Sequence, residues 1–131
     1  MQLALSTLPK ERSVSYINAH GTSTPVGDVS EVEAVRRVFG ESSMPAISST
    51  KSMTGHAQGA AGALEAIFNL IMLKNDFIAP SINVEILDPA LKPYEIATQC
   101  VENAELDSVM TNSFGFGGTN GSMVFSKYLA G

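Results

Sequence analysis

The chain has 131 residues, 44% hydrophobic and 16% charged, a composition typical of one globular domain and not of a disordered protein. Its formal net charge of −5 argues against binding to nucleic acid or an anionic membrane, since both require clustered Lys and Arg. The single cysteine, Cys100, excludes an intrachain disulfide. The most apolar run, residues 60–73, is shorter than the roughly 20 residues of a membrane span. We therefore expect a soluble, cytoplasmic protein.

The first half of the chain alternates between helix and strand signals. Residues 1–8 resemble the end of a helix, and the β-favouring residues of Val14–Asn18 predict a strand. Asp28 is predicted to cap a second helix, with Glu31 completing a capping box. A valine stripe continues this helix to Gly40, a residue type that suits a helix end.

The second half continues the alternation. Residues 59–74 are predicted to form a helix that is apolar nearly all round and therefore buried on several sides. Three further strands are predicted at residues 46–49, 108–113 and 122–128, and residues 114–118 form a glycine-rich hairpin between the last two. Residues 77–87 are predicted to be extended, and residues 88–93 to form a loop. The order β-α-β-α-β-β predicts a layered α/β domain with a mixed sheet packed by helices.

The only two histidines, His20 and His56, both follow predicted strands and lie beside glycines. Ligands bind at the carboxyl ends of strands in α/β sheets, so we expect one site, although unrelated surface or capping histidines are the alternative. The start of the following helix favours a neutral His56, and a neutral pair suits polarising a carbonyl and stabilising an enolate. Without a carboxylate at ligand spacing, a zinc site is not expected.

Other polar residues lie close to these histidines in the sequence. Lys51 shares the His56 loop, and Glu65 in the apolar helix is its expected partner, because a carboxylate there should be paired or functional. A solvated pair is the alternative. The hydroxyls of residues 22–24 suit an amide-bearing ligand or simply form a turn.

Two further features of the sequence give weaker evidence for a functional site. The glycine-rich hairpin can expose backbone N–H groups to an oxyanion, or be only a tight turn. Cys100 has no neighbouring base and no motif context, so we interpret it as an incidental thiol and not a nucleophile.

Three sequence motifs occur in a recognisable order. Residues 18–28 read NAHGTSTPVGD, residues 49–56 read STKSMTGH and residues 112–120 read NSFGFGGTN. Together they resemble β-ketoacyl-acyl carrier protein synthases over nearly the whole chain. Residues 77–83, FIAPSIN, bring the resemblance nearest to the type I enzyme of bacterial fatty acid synthesis, with the type II enzyme and polyketide ketosynthases as alternatives.

The resemblance implies the thiolase fold, in which two similar halves pack as α-β-α-β-α layers. It also implies a decarboxylative condensation of malonyl-acyl carrier protein with an acyl-cysteine thioester, without a cofactor or metal. By the same resemblance His20 and His56 stabilise the enolate, Lys51 supports the site by pairing with Glu65, and the backbone N–H of Phe116 contributes to the oxyanion hole. Phe114 matches a residue that gates substrate entry, and Thr22 and Thr24 match contacts to pantetheine.

The resemblance also implies what this chain lacks. Residues 1–131 correspond to a partial C-terminal half, and the nucleophilic cysteine belongs to an N-terminal half that is absent from the sequence. The opening strand, central in the sheet of this half, is absent too, so we expect exposed apolar surface or an unpaired strand edge.

The expected partners are the cysteine-bearing half, a malonyl-loaded acyl carrier protein and, for the full-length protein, a second copy. Neither nucleic acid nor membrane is an expected partner. The chain alone is expected to be inactive. The alternatives are a non-catalytic binding or assembly module and a decarboxylase that acts without cysteine.

Overall fold

Helices and strands alternate along the chain in the structure, a computed structural model that describes residues 1–92 and 96–128. The helices are α1 (Gln2–Leu5), α2 (Gly27–Phe39), α3 (Lys51–Thr54) and α4 (Ala61–Asn75). The strands are β1 (Val14–Asn18), β2 (Ala46–Ser48), β3 (Phe77–Ile78), β4 (Val101–Glu102), β5 (Ser108–Phe114) and β6 (Asn120–Ser126). The last residue of the predicted loop 88–93 lies outside the described residues.

The main sheet is mixed, with the strand order β2-β1-β5-β6. Strand β1 runs parallel to both β2 and β5, and β6 returns antiparallel to β5. Strands β3 and β4 form a separate antiparallel pair. The predicted α/β class with a mixed sheet is therefore confirmed. Within the described residues, the main sheet has no gap at its centre, because β1 pairs directly with β5; β6 is an edge strand.

Helices α2 and α4 cover opposite faces of this sheet. Neighbouring residues of a strand point to opposite faces, so Ile17 joins one apolar cluster and Tyr16 the other. The Ile17 cluster includes Val32 and Val35 of α2, whereas the Tyr16 cluster includes Met72 of α4. The loops that leave β1 and β2 start at the edge of these two layers, and residues 23–27 and 53–60 of these loops are exposed.

Helix α2 follows the predicted valine stripe and ends at Gly40, whose φ of 79° lies in the left-handed region. The predicted capping box is wrong. The helix begins at Gly27, and the Asp28 carboxylate accepts the Ser23 N–H, in the loop before the helix. The buried Glu31 carboxylate also accepts loop N–H groups, because the loop after β1 folds back over the first turns of α2.

Helix α4 is preceded by a 3₁₀ turn at Gln58–Ala60, so the helix predicted at residues 59–74 is present with slightly shifted ends. Its predicted burial on several sides is wrong within the described residues. One face is buried through Ala61, Glu65, Asn69, Met72 and Leu73. The opposite face exposes 37% to 52% of each of four apolar residues: Leu64, Ile67, Leu70 and Ile71. The apolar surface expected from the sequence is therefore exposed on α4.

Other boundaries also differ from the sequence prediction, including the end of β5, which lies at Phe114 instead of residue 113. The first helix covers only Gln2–Leu5, and the strand predicted at residues 46–49 ends one residue earlier, at Ser48. The last strand is Asn120–Ser126 instead of residues 122–128, because Asn120 pairs with Phe114 and the hairpin tip is short. Among residues 1–92 and 96–128, no helix combines the length and apolar character needed to cross a membrane.

Candidate active site

The two histidines meet at the carboxyl ends of neighbouring parallel strands. His20 follows β1, and His56 follows β2 after the short helix α3. Their ring centroids lie 5.4 Å apart with the ring planes at 86°. Phe114, at the end of β5, brings its ring to 5.7 Å from that of His20. The structure thus places three of the residues selected from the sequence side by side.

The tautomer of His56 is set by a backbone hydrogen bond. Its Nδ1 accepts the N–H of Gln58 at 3.0 Å, so the neutral ring carries its hydrogen on Nε2. Gln58 opens the turn that leads into α4, where N–H groups lack partners inside the helix. The side chain of His56 is exposed, so Nε2–H can reach a ligand.

The surroundings of His20 lower its pKa. Burial lowers the pKa of His20, and the charge of Lys51 and the neighbouring His56 lower it further, while Asp28 opposes them. Its Nδ1 is buried and has no hydrogen-bond partner within residues 1–92 and 96–128. Nε2 is therefore the nitrogen of His20 that remains to face a ligand.

The backbone that carries His20 is fixed on both sides. Its own N–H and that of Gly21 each donate to the Glu31 carboxylate at 2.9 Å. Ser49 Oγ donates to the carbonyl oxygen of Gly21 at 3.0 Å, and Asn112 Nδ2 donates to Glu31 at 3.1 Å. Burial raises the pKa of Glu31, and these donors oppose that shift. The sequence prediction did not include these contacts of Glu31 with the His20 loop. The only feature of the sequence that could have indicated them is an acidic residue beside the valine stripe of the helix.

Lys51 and Glu65 form the ion pair predicted from the sequence. Their side chains are only 5% and 3% exposed, and the lysine Nζ donates to the glutamate Oε1. Burial raises the pKa of Glu65, whereas Lys51 and, more weakly, His56 lower it. Lys51 opens α3 and Glu65 lies in α4, so the pair joins the two helices that flank His56.

Two adjoining clefts open at this edge of the sheet. One, of about 930 Å³, is lined by Thr22, Thr24, Lys51 and His56 among others. The other, of about 820 Å³, includes His20, Phe114 and again Thr22. Thr22 is therefore the predicted ligand contact that borders both clefts.

The hydroxyl of Thr24 also forms a hydrogen bond within its own loop. Thr24 Oγ1 accepts the N–H of Gly27 at 3.2 Å, as expected for turn formation. This bond leaves the hydroxyl hydrogen of Thr24 available to a second acceptor, so a contact to ligand is compatible with the turn.

The glycine-rich hairpin between β5 and β6 carries Phe116. Gly115 N–H donates to the carbonyl of Thr119 at 2.8 Å, and Gly117 and Gly118 have φ values of 79° and 86°. The Phe116 side chain is fully exposed and, unlike that of Phe114, is not in ring contact with His20. Cys100 is an exposed free thiol in the segment before β4.

The mixed sheet between helices, with paired histidines at its strand ends, is similar to solved ketosynthase structures of thiolase-like fold. The ishigamide ketosynthase/chain length factor aligns with a TM-score of 0.88 and 35% identity, over 97% of this chain and 31% of the other. A β-ketoacyl synthase from Burkholderia phymatum STM815 aligns with a TM-score of 0.88 and 43% identity, over 98% and 31%.

Sequence comparison gives the family. Residues 1–85 match the C-terminal domain of β-ketoacyl synthases, and the chain belongs to this family. It is 59% identical over 128 residues to 3-oxoacyl-[acyl-carrier-protein] synthase 1 of Haemophilus influenzae, covering 98% of the chain and 31% of that protein. The synthase 1 of Escherichia coli K12 is 58% identical over 114 residues, with 87% and 28% covered. The chain thus spans about three tenths of the length of these relatives.

Proposed function

We propose that this chain is the C-terminal part of a 3-oxoacyl-[acyl-carrier-protein] synthase of fatty acid biosynthesis. The enzyme joins malonyl-acyl carrier protein to an acyl-enzyme thioester with loss of carbon dioxide. The observation that carries the proposal is the His20–His56 pair, with ring centroids 5.4 Å apart and the hydrogen of His56 directed to Nε2. Two N–H donors this close together suit an enolate oxygen.

In the proposed decarboxylation, His20 and His56 donate through Nε2 to the thioester carbonyl oxygen of the malonyl group. The electrons of the bond to the departing carboxylate move into the enolate as carbon dioxide leaves, and the two donors stabilise the oxyanion. The enolate carbon then attacks the carbonyl of the acyl-cysteine thioester, forms the new carbon–carbon bond and expels the cysteine thiolate. The backbone N–H of Phe116 stabilises the tetrahedral oxyanion of this second step.

The remaining residues have supporting roles in this proposal. Lys51, paired with Glu65, holds the loop before His56, and its positive charge helps to lower the pKa of His20. Thr22 and Thr24 bind the pantetheine arm, which is supported by their position in the cleft shared with His56. Phe114 gates access to His20, which its ring contacts at 5.7 Å.

The proposed partners are a malonyl-loaded acyl carrier protein, the part of the synthase that bears the nucleophilic cysteine, and a second copy of the full-length protein, all in the cytoplasm. The exposed apolar face of α4 suits packing against the cysteine-bearing part. On its own the chain is inactive, because Cys100 lies outside the two clefts that contain the histidines.

A polyketide ketosynthase is the second candidate. One matching structure is a type II polyketide acyl-carrier protein in complex with its ketosynthase, at 33% identity to this chain. The 59% identity to a 3-oxoacyl-[acyl-carrier-protein] synthase 1 favours the first candidate.

The test uses the full-length synthase that contains this chain. His20→Ala and His56→Ala should each lower carbon dioxide release from malonyl-acyl carrier protein by about 100- to 1,000-fold, the usual cost of losing one oxyanion donor. Acyl loading of the cysteine measures the active fraction of each preparation. Cys100→Ser, at an exposed position, is the matched control and should leave the rate unchanged. Undiminished decarboxylation in both histidine variants would refute the proposal.

A further inference from the structure

Residues 79–83 belong to the FIAPSIN motif, to which the proposed mechanism gives no role. Their polar groups form hydrogen bonds with the loop that follows β2, and Ser81 Oγ accepts the backbone N–H of Ser49 at 2.9 Å. We propose that Ser81 is a positioning residue, which holds the loops of both candidate histidines through Ser49. The inference rests on the proposed function of His20 and His56.

Ser49 connects the two histidine loops. It follows the last residue of β2, and its Oγ donates to the carbonyl oxygen of Gly21, in the His20 loop, at 3.0 Å. The two residues pack so closely that a Cβ on Gly21 would lie 2.7 Å from the Ser49 Cβ. In the other direction, the Ser49 carbonyl oxygen accepts the N–H of Ser52 in α3, the helix before His56. A displacement of Ser49 would therefore move both loops.

Ser81 is itself fixed by the sheet. Its N–H donates to the carbonyl oxygen of Ala97 at 2.8 Å, and the N–H of Ala97 donates to the carbonyl oxygen of Ile47, in β2, at 2.8 Å. The carbonyl oxygen of Ala79, two residues before Ser81, accepts Ser48 Oγ at 2.6 Å. The backbone of this segment is thus set by its bonds to β2, and the hydroxyl of Ser81 transmits that position to the loop that follows the strand.

A second set of hydrogen bonds lies on the other side of Lys51. The N–H of Ile82 donates to Ser52 Oγ at 3.0 Å, and Asn83 Nδ2 donates to the carbonyl oxygen of Ser52 at 3.3 Å. Helix α3 has a single turn, so its terminal carbonyl groups depend on donors from outside the helix. The chain around Lys51 is therefore held on both sides by residues 79–83.

The hydroxyl of Ser81 can be removed or kept with little change in volume. Ser49 is 9% exposed, and in Ser81→Ala its N–H loses its partner, which is costly for a buried donor. The loop then has to shift towards another acceptor. Ser81→Thr keeps the Oγ and is the conservative variant. Ser42→Ala is the matched control, since Ser42 is exposed and precedes β2, at the end of the strand away from the histidines.

The test uses the full-length synthase and measures two rates on each preparation, malonyl decarboxylation and acyl loading of the cysteine. Loss of folded protein lowers both rates equally, whereas displacement of the histidine loops lowers decarboxylation alone. We expect Ser81→Ala to lower kcat of decarboxylation about 10-fold relative to acyl loading, because a misplacement of about 1 Å already costs roughly 100-fold. The KM for malonyl-acyl carrier protein should stay nearly unchanged, and Ser81→Thr and Ser42→Ala should match the parent.

The inference would be overturned by an unchanged kcat in Ser81→Ala, by equal loss of both rates, or by a Ser81→Thr variant as slow as Ser81→Ala. A higher KM with the parent kcat would also overturn it, because Ser81 would then contact the substrate instead of positioning the loops. If neither His20→Ala nor His56→Ala reduced decarboxylation, the proposed function would fail instead.

Discussion

Gln58 donates its backbone N–H to Nδ1 of His56 at 3.0 Å, and this bond decides which ring nitrogen can act on a substrate. The neutral ring keeps its hydrogen on Nε2, which lies on the exposed side chain facing the cleft. In the proposed mechanism, this donor at the start of α4 leaves the Nε2–H of His56 free to stabilise negative charge.

The two amide side chains distinguish between the nitrogens of His56. Glutamine places its NH₂ near the position of Nε2, whereas asparagine places it near Nδ1. We expect His56→Asn to lower the rate of malonyl decarboxylation about 100-fold and His56→Gln to lower it only about 10-fold, because only glutamine can retain a donor near Nε2. Equal rates in the two variants, measured as carbon dioxide release per loaded cysteine, would mean that Nε2 is not the acting atom.

Gly21 is required by both conformation and space. Its φ of +33° and the 2.7 Å approach of an added Cβ to the Ser49 Cβ predict that Gly21→Ala destabilises the protein by about 1–3 kcal/mol. Gly59→Ala is the matched control, since an added Cβ there meets nothing within 4 Å. Urea unfolding compares the two variants, and similar free energies of unfolding would contradict the tight packing of the His20 loop.

The Lys51–Glu65 pair predicts a separation of stability from activity. Lys51→Met leaves the buried Glu65 unpaired and should cost about 3–5 kcal/mol of stability. Lys51→Met combined with Glu65→Leu removes both charges and should recover most of that loss, since apolar replacements of buried pairs are often neutral. Decarboxylation should stay low in the double variant. Recovery of the rate together with stability would show that Lys51 only fills space.

Lowering the pH should reduce the stability of the protein, and His20 should account for part of that loss. Burial holds the pKa of His20 in the folded chain below its unfolded value, so the unfolded chain binds the proton first as pH drops. The contribution of His20 to stability is therefore complete above about pH 6.5 and decreases below it. His20→Gln should show a smaller decrease in the free energy of unfolding between pH 7 and pH 5 (roughly the range where histidine titrates). A pH dependence identical to that of the parent would contradict the assignment.

Much of the fold could be predicted from local patterns. The strand Val14–Asn18 and the helix end at Gly40 follow from residue preferences alone, and both are present as predicted. The meeting of His20 and His56 follows from parallel strands whose carboxyl ends share one edge. Lys51 and Glu65 could be paired because a buried carboxylate requires a partner.

The errors arise where tertiary contacts compete with local ones. Asp28 and Glu31 have the spacing of a capping box, but the loop after β1 presents other N–H groups to both carboxylates. The sequence of α4 shows that each of its faces is apolar, but it does not show which faces other elements cover. Ile67 and Leu70 lie on an uncovered face and are about half exposed. The direct pairing of β1 with β5 depends on residues far apart in sequence, which no local pattern contains.

The most direct test of the central claim is a crystal structure of the full-length synthase with a non-hydrolysable malonyl-thioester analogue bound. The account predicts that Nε2 of His20 and Nε2 of His56 both lie within about 2.7–3.2 Å of the oxygen that replaces the thioester carbonyl. Binding of the analogue in the cleft with that oxygen directed away from both histidines, towards other donors, would contradict it.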